Sequence, residues 1–250
     1  MLSIFKKSGD FRMIGSIIGN ERTEPIKGSV TQKLAHLIIT LFIRLAAHVE
    51  VSGLENAPQA GGYIAASNHL GRLDPLLGYV FVKRDDITMM VAEKYHKYAF
   101  LRWAVKQVDG MWVDRFNADF NALREALSRL KRGSVLVIAP EGTRSKTEVL
   151  IEARPGSSFL AAKAGVPVVP VAVTGTEDRL VMQQIKRLRR PHIHIRVGKP
   201  FTLPPLKSRE RDAIQKYTDE IMCQIAALLP PEKRGFYAQH PRTLELLSEQ

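Results

Sequence analysis

The sequence carries a single cysteine, Cys223, among its 250 residues. That excludes intramolecular disulfides and any cysteine-rich zinc or iron–sulfur site, and it fits a reducing compartment. Acidic residues are in deficit: 25 Asp and Glu stand against 37 Lys and Arg, a formal charge of +12. Such an excess points to anionic partners, whether nucleic acid, phosphorylated small molecules or an anionic membrane face. Aromatic residues make only 7%, and they fall mostly in apolar patterns rather than among the basic residues, so no nucleic-acid-binding motif stands out. Long apolar runs are missing too. The most apolar segment, Leu34–Ala47, would span roughly 21 Å as a helix, short of the ~30 Å hydrocarbon core of a bilayer. The stretch Met13–Ile18, behind Lys6, Lys7 and Arg12, is too short for a secretory signal and runs into Asn20-Glu21-Arg22. No Pro-, Gly- or Ser-rich linker divides the chain, and no internal repeat is visible. With 45% apolar and 25% charged residues, the chain reads as globular rather than disordered.

Within Leu34–Ala47 the polar residues His36, Thr40 and Arg44 recur at i, i+4 and i+8, one stripe on an otherwise apolar helix. Two placements fit. The helix packs on the core with its stripe in water, or it lies in a membrane interface behind a segment carrying Lys6, Lys7, Arg12, Arg22, Lys27 and Lys33. From Val49 onward short apolar runs alternate with helical patterns, which predicts an α/β fold. Strands are expected at Tyr63–Ala66, Ile87–Val91, Met111–Val113, Ser134–Ala139, Val166–Val173 and Ile193–Val197. Pro167 and Pro170 argue against full pairing of the fifth of these in mid-sheet. Helices are expected from Asp74-Pro75, with Asp as N-cap, over Tyr95–Val105, over Phe120–Leu130 up to Gly133, over Ser158–Ala164, and from a Ser208 cap to Leu228. The expected organisation is a basic N-terminal segment with an amphipathic, membrane-associating helix over 1–48, one α/β domain over 49–231 with a mostly parallel or mixed sheet flanked by helices, and a polar, less ordered tail over 232–250.

Three clusters carry chemistry. Asn68-His69-Leu70-Gly71-Arg72-Leu73-Asp74 sits where a strand gives way to a helix, the edge of an α/β sheet where sites form. A carboxylate there can hold one imidazole nitrogen as donor and leave the other as a base. The plainer alternative is a helix cap beside a turn histidine. Pro140-Glu141-Gly142-Thr143-Arg144-Ser145 follows the buried strand Ser134–Ala139. Glycine allows close backbone approach, the hydroxyls can donate, and the planar Arg144 fork suits phosphate, unless Arg144 simply pairs with Glu141. Gly110–Arg115 delivers another arginine at a strand end, by itself no more than a surface Asp–Arg turn.

In order and spacing these blocks, with the proline-bearing strand Val166–Val171, resemble the glycerolipid acyltransferase family, most closely its 1-acyl-glycerol-3-phosphate acyltransferases. The family pattern is Asn-His-x-x-x-x-Asp, a strand ending in Asp-Arg, Glu-Gly-Thr-Arg-Ser, and then the proline-bearing strand. The resemblance covers about residues 50–180. One position departs: the family commonly has Ser or Thr two residues after the histidine, where this chain has Gly71.

The resemblance implies transfer of a fatty acyl group from an acyl thioester, acyl-CoA or acyl carrier protein, to the free hydroxyl of a lysophospholipid. His69 would be the general base and Asp74 would orient it. Asn68, Gly71, Arg115, Glu141, Gly142, Thr143 and Arg144 would form the substrate-binding part. Arg144 and Arg115 would clamp the acceptor phosphate, and backbone N–H groups around Gly71 or Gly142 would meet the oxyanion. The helix over Tyr95–Val105, with Tyr98, Phe100, Leu101 and Trp103, would line an acyl groove. Such chemistry requires no metal or redox cofactor. The expected partners are the donor, the acceptor and a membrane surface, not nucleic acid, with the enzyme peripheral or monotopic on the cytoplasmic face. A hydrolase using the same His–Asp pair and a basic nucleic-acid-binding protein are the competing classes. The run Arg179–Lys199 holds seven basic residues and no acidic one, suited to lipid headgroups or donor phosphates.

Overall fold

The computed structural model describes residues 30–249 apart from 83, 108, 115–118 and 207–210. In chain order the described elements are helix α1 (Val30–Ala46), strands β1 (His48–Ser52) and β2 (Tyr63–Ser67), α2 (Asp74–Phe81), β3 (Ile87–Ala92), α3 (Ala99–Gln107), β4 (Met111–Val113), α4 (Phe120–Lys131), β5 (Val135–Ile138), α5 (Gly156–Ala164), β6 (Val168–Thr174), α6 (Asp178–Lys186), β7 (His192–Val197), α7 (Arg211–Leu228) and α8 (Pro241–Ser248). The strands pair in the order β1-β7-β6-β2-β5-β3-β4. Every neighbouring pair is parallel except β6 and β7. Parallel pairing needs both sheet faces covered, and the strand sequences provide for it. In β2, Ile64 and Ala66 pack toward α4, α5 and α7, while Tyr63 and Ala65 pack toward α1 and α2. The result is one α/β domain, a mostly parallel sheet between two helical layers.

Strand β6 is the third of the seven, although it contains Pro170 and follows Pro167. The Gly198 N–H donates to the Pro170 carbonyl (2.8 Å), and the β6–β7 register starts one residue further on, at Val171 opposite Val197. The N–H that Pro170 lacks thus falls at the end of the β7 ladder, where its loss breaks no interior bond. Strand β7 keeps the alternation its sequence predicts: His192, His194 and Arg196 are exposed, while Ile193, Ile195 and Val197 are buried.

Three expectations change, and one is not reached. Helix α3 starts at Ala99 rather than Tyr95, after a short 3₁₀ turn at Glu93–Tyr95. Asp74 is the first residue of α2 rather than its cap. The expected Ser208 cap lies outside the described residues, as does the N-terminal segment before residue 30. The tail does not run loose. Two 3₁₀ turns, Pro231–Lys233 and Gly235–Tyr237, lead into α8, and Tyr237, Thr243 and Leu246 are buried against the α7 side of the core. Its polar appearance reflects an amphipathic helix that turns Leu246 and Leu247 to the core and leaves Leu244 half exposed.

Of the two placements open for helix α1, packing on the core with its polar stripe in water is not the one found. Ile43 and Ala47 are buried, the His36 ring lies 5.2 Å from that of Tyr79, and the Thr40 hydroxyl is buried without a partner among the described residues. Arg44 alone of the polar stripe is exposed. Leu34, Leu37, Ile38, Leu41, Phe42 and Leu45, spaced as one helical face, are each more than half exposed. Two of the three stripe residues therefore face protein, and the broad apolar face points outward.

Candidate active site

Strand order places the site. Strands β5, β3 and β4 lie on one side of β2, and β6, β7 and β1 on the other. Loops leaving the C-terminal ends of β2, β5 and β6 therefore converge on a crevice at this reversal, where open α/β sheets bind ligands.

The loop after β2 carries His69. Its Nδ1 lies 2.8 Å from Asp74 Oδ2, and the backbone N–H groups of Leu70 and Gly71 donate to that same oxygen at 2.7 and 2.9 Å. Asp74 thus ties its own preceding turn and the imidazole together. With Nδ1–H donating to a carboxylate, Nε2 is the acceptor left at the cleft. Asn68, expected to contact substrate, is fully buried instead. Its Nδ2 donates to the Val173 carbonyl (2.8 Å) and its Oδ1 accepts the Val173 N–H (2.7 Å). It locks the ends of β2 and β6 together. Gly71 is buried as well, and a Cβ there would sit 1.7 Å from the Thr176 carbonyl oxygen. The loop after β6 occupies the space a Ser or Thr would need, which is the physical content of the departure at this position.

The loop after β5 carries Glu141, also expected at the substrate. It is 1% exposed. Its Oε1 accepts the His69 N–H (2.8 Å) and its Oε2 the Ile151 N–H (3.1 Å), so both oxygens serve the scaffold. Burial pushes its carboxyl up to about 7; the two N–H donors pull the other way, and the Asp74 charge adds to the rise. The Gly71 N–H is committed to Asp74, and the Gly142 N–H donates to the Ala139 carbonyl (3.0 Å). Neither matches the expected free oxyanion donor. Gly142 does need its residue type, with φ of 67° and Arg154 Cδ 2.9 Å from where a Cβ would stand.

Arg144 does not pair with Glu141. Its Nη1 meets Asp178 Oδ2 at 2.5 Å. The other Asp178 oxygen accepts the Arg72 N–H (2.9 Å). Beside it Arg179 meets Glu148 at 3.2 Å. Behind it the buried Glu177 takes Lys233 Nζ at 2.5 Å, and that same ammonium donates to the Glu148 carbonyl (3.1 Å). The C-terminal segment thereby holds the back of the arginine cluster. Sequence reasoning missed Asp178, Glu177 and Lys233. Asp178 was findable, since it follows the end of a buried strand as the other clusters do; Lys233 carried no signal.

These groups surround a cleft of about 740 Å³. One end is net cationic, with Arg144, Lys146, Arg154 and Arg179 against Glu148 and Asp178; the other is apolar, with Met89, Met90, Val91, Val113 and Leu123; His69 and Thr143 also line it. The apolar wall comes from β3, β4 and α4. Among the described side chains of the expected groove helix only Tyr95 reaches the cleft, while Tyr98 and Trp103 are exposed elsewhere. Arg115 lies outside the described residues. Among the described residues no group of three His, Cys, Asp or Glu side chains is placed to hold a metal ion. The arrangement can seat a molecule with an anionic head and an apolar tail, and present a base to a hydroxyl between them.

Comparison with known proteins points the same way. A family model described as Acyltransferase matches residues 48–174. The chain is 28% identical over 158 residues to a chloroplastic 1-acyl-sn-glycerol-3-phosphate acyltransferase of Brassica napus, covering 58% of this chain but 44% of that protein. It is 27% identical over 191 residues to a probable 1-acyl-sn-glycerol-3-phosphate acyltransferase of Mycoplasma pneumoniae, covering 72% of this chain and 71% of the relative. The crystal structure of the 1-acyl-sn-glycerophosphate acyltransferase PlsC from Thermotoga maritima matches with a TM-score of 0.58 and 27% identity, over 76% of this chain and 77% of that one.

Proposed function

The chain belongs to the acyltransferase family, and from that premise we propose that it acylates the free hydroxyl of a lysophospholipid. The preferred acceptor in this reading is 1-acyl-glycerol-3-phosphate, the donor is acyl-CoA or acyl-carrier-protein thioester, and the product is phosphatidic acid. The observation that carries the reading is a His–carboxylate pair, 2.8 Å apart, on a cleft with arginines at one end and methionines and valines at the other.

An alcohol is a poor nucleophile near neutral pH, so a positioned base must take its proton as it attacks. Nε2 of His69 takes that proton while the hydroxyl oxygen bonds to the thioester carbonyl carbon. Asp74 holds the ring and stabilises the imidazolium. The tetrahedral intermediate collapses by breaking the carbon–sulfur bond, and the proton on His69 goes to the departing thiolate. With an ordinary thiol pKa near ~8.5, that group leaves readily. Arg144 trades its contact with Asp178 for the acceptor phosphate and holds the hydroxyl against His69. The apolar end of the cleft receives acyl chain.

We place the enzyme at a membrane surface, peripheral or monotopic and on the cytoplasmic face. The outward apolar face of α1 supports that placement, as does the lipid character of the substrates. Among the described residues no helix is long and apolar enough to cross a membrane. The deciding experiment supplies a labelled acyl thioester with lysolipid acceptors, to the parent and to His69→Ala. Transfer by the parent, falling roughly 10²–10⁴-fold in the variant, is expected. Free fatty acid as the main product would reassign the chain to thioester hydrolysis, and near-normal turnover in a folded His69→Ala would remove the mechanism.

A further inference from the structure

The middle of the basic run Arg179–Lys199 forms an exposed turn that the site does not absorb. Helix α6 starts at Asp178, the partner of Arg144, and closes at Lys186. Met182 and Ile185 are half exposed on it, and Leu188 in the following turn is 97% exposed. Their spacing puts them on one side of the helix and its extension. Leu188 also adopts φ of 53°, a left-handed conformation that ends helices and favours glycine. A leucine there gains nothing from packing and is disfavoured by its backbone, so the fold does not account for it. Lys186, Arg187 and Arg189 surround it, exposed and without an ion-pair partner among the described residues.

The turn is held at the active-site edge of the sheet. Strand β7 runs antiparallel to β6, with His194 opposite Thr174, so β7 begins where β6 ends. Gly175 lies so close that a Cβ there would stand 2.0 Å from the His192 carbonyl oxygen. Arg190 reaches across to the carbonyl of Arg44 in the last turn of α1 and to that of Ala47 just after it, and the His48 N–H donates to the Pro191 carbonyl (2.9 Å). The C-terminal end of α1 and the turn after α6 are thus pinned side by side.

We propose that the turn after α6, with Leu188 at its tip and Lys186, Arg187 and Arg189 around it, docks on an anionic lipid bilayer as a contact separate from α1. Leu188 enters the interface, and the three cations meet lipid phosphates. Charge complementarity selects the occupant: apolar side chains ringed by unpaired cations suit a surface that is apolar beneath and anionic above. Helix α6 then spans about 13 Å from bilayer contact to the arginine that faces the acceptor phosphate. The inference rests on the membrane-surface reading above, and its test reads the two apart.

The test uses the full chain carrying Leu188→Trp, mixed with phosphatidylglycerol/phosphatidylcholine vesicles that include brominated lipid. A blue shift and bromine quenching beyond those of the parent's own tryptophans are expected. Adding Lys186→Gln, Arg187→Gln and Arg189→Gln should raise the lipid concentration for half-response on the order of 100-fold, at about fivefold per cation. The response to pure phosphatidylcholine should be unaltered. Transfer between monomeric short-chain substrates, without vesicles, should persist in both variants, since none of these residues lines the cleft. If the parent fails to transfer acyl groups, the acyltransferase reading falls while the emission result still decides the docking. Emission unchanged on vesicles that sediment the protein overturns the proposal. So does a lipid dependence indifferent to the three Gln substitutions. Loss of rate confined to an acidic carrier-protein donor, with emission unmoved by lipid, would give this surface to an acidic protein instead.

Discussion

Replacing Asp74 by Asn tests whether its charge, rather than its shape, matters. One carboxylate oxygen, Oδ2, receives all three donors, from His69 Nδ1, Leu70 N–H and Gly71 N–H. The other, Oδ1, is buried without a partner among the described residues. An asparagine can therefore put its oxygen toward the three donors and its NH₂ in the empty position, keeping the turn. What it loses is the negative charge beside an imidazole that becomes cationic during reaction. At about 4 Å between charge centres and an effective dielectric near ~20, that interaction amounts to about 4 kcal/mol. At about 1.4 kcal/mol per decade, kcat should fall about 10³-fold. Weaker hydrogen bonds and the relief of a buried charge oppose one another, so the fold should stay within about 2 kcal/mol of the parent. Thiol release from a short-chain acyl-CoA, with 1-acyl-glycerol-3-phosphate as acceptor, gives kcat and KM separately; chemical denaturation gives stability. The expected pattern is a large loss of kcat at nearly constant KM. A folded variant within tenfold of parental kcat would reduce Asp74 to a staple for the turn and refute the electrostatic argument.

Arg144→Lys keeps the charge but loses the planar fork, so KM for a phosphomonoester acceptor should rise roughly tenfold, with far less change for an acceptor lacking that group; equal losses would make Arg144 a scaffold residue through Asp178. Glu141 is protonated more readily in the fold than in the open chain, its pKa raised from 4.5 to about 7 by burial. Its stabilising contribution is full below about 4.5 and is lost as pH rises through about 7. Melting temperatures of Glu141→Gln should therefore run flatter across that window than the parent's, and parallel profiles would contradict the assignment. Leu41→Glu with Leu45→Glu should weaken vesicle co-sedimentation without lowering the melting temperature, because both side chains already face outward; a lower melting temperature would mean that α1 is held by the core on this face too.

Much of this protein was legible along the chain. Alternating apolar residues in His192–Val197, the continuous apolar run ahead of Pro140 and the helical spacing of Phe120, Leu123, Leu127 and Leu130 reflect local periodicity, which a linear reading sees. The pairing of His69 with Asp74 was legible for the same reason, since five residues across one turn bring the two side chains together. Partners far apart in sequence were not. Arg144 meets Asp178 and Asn68 meets Val173 only because β2, β5 and β6 end at one crevice, and Lys233 meets Glu177 because the C-terminal turn folds back behind it. Strand order is set by the packing of whole layers and leaves no mark at any single residue. The same holds for Glu141, whose motif suggested a substrate contact until tertiary packing buried it under His69. In α1 the sequence determined an apolar face and a polar stripe. Which of them met the protein was decided by α2, where Tyr79 offers an aromatic ring to His36 and leaves six large apolar side chains to the outside.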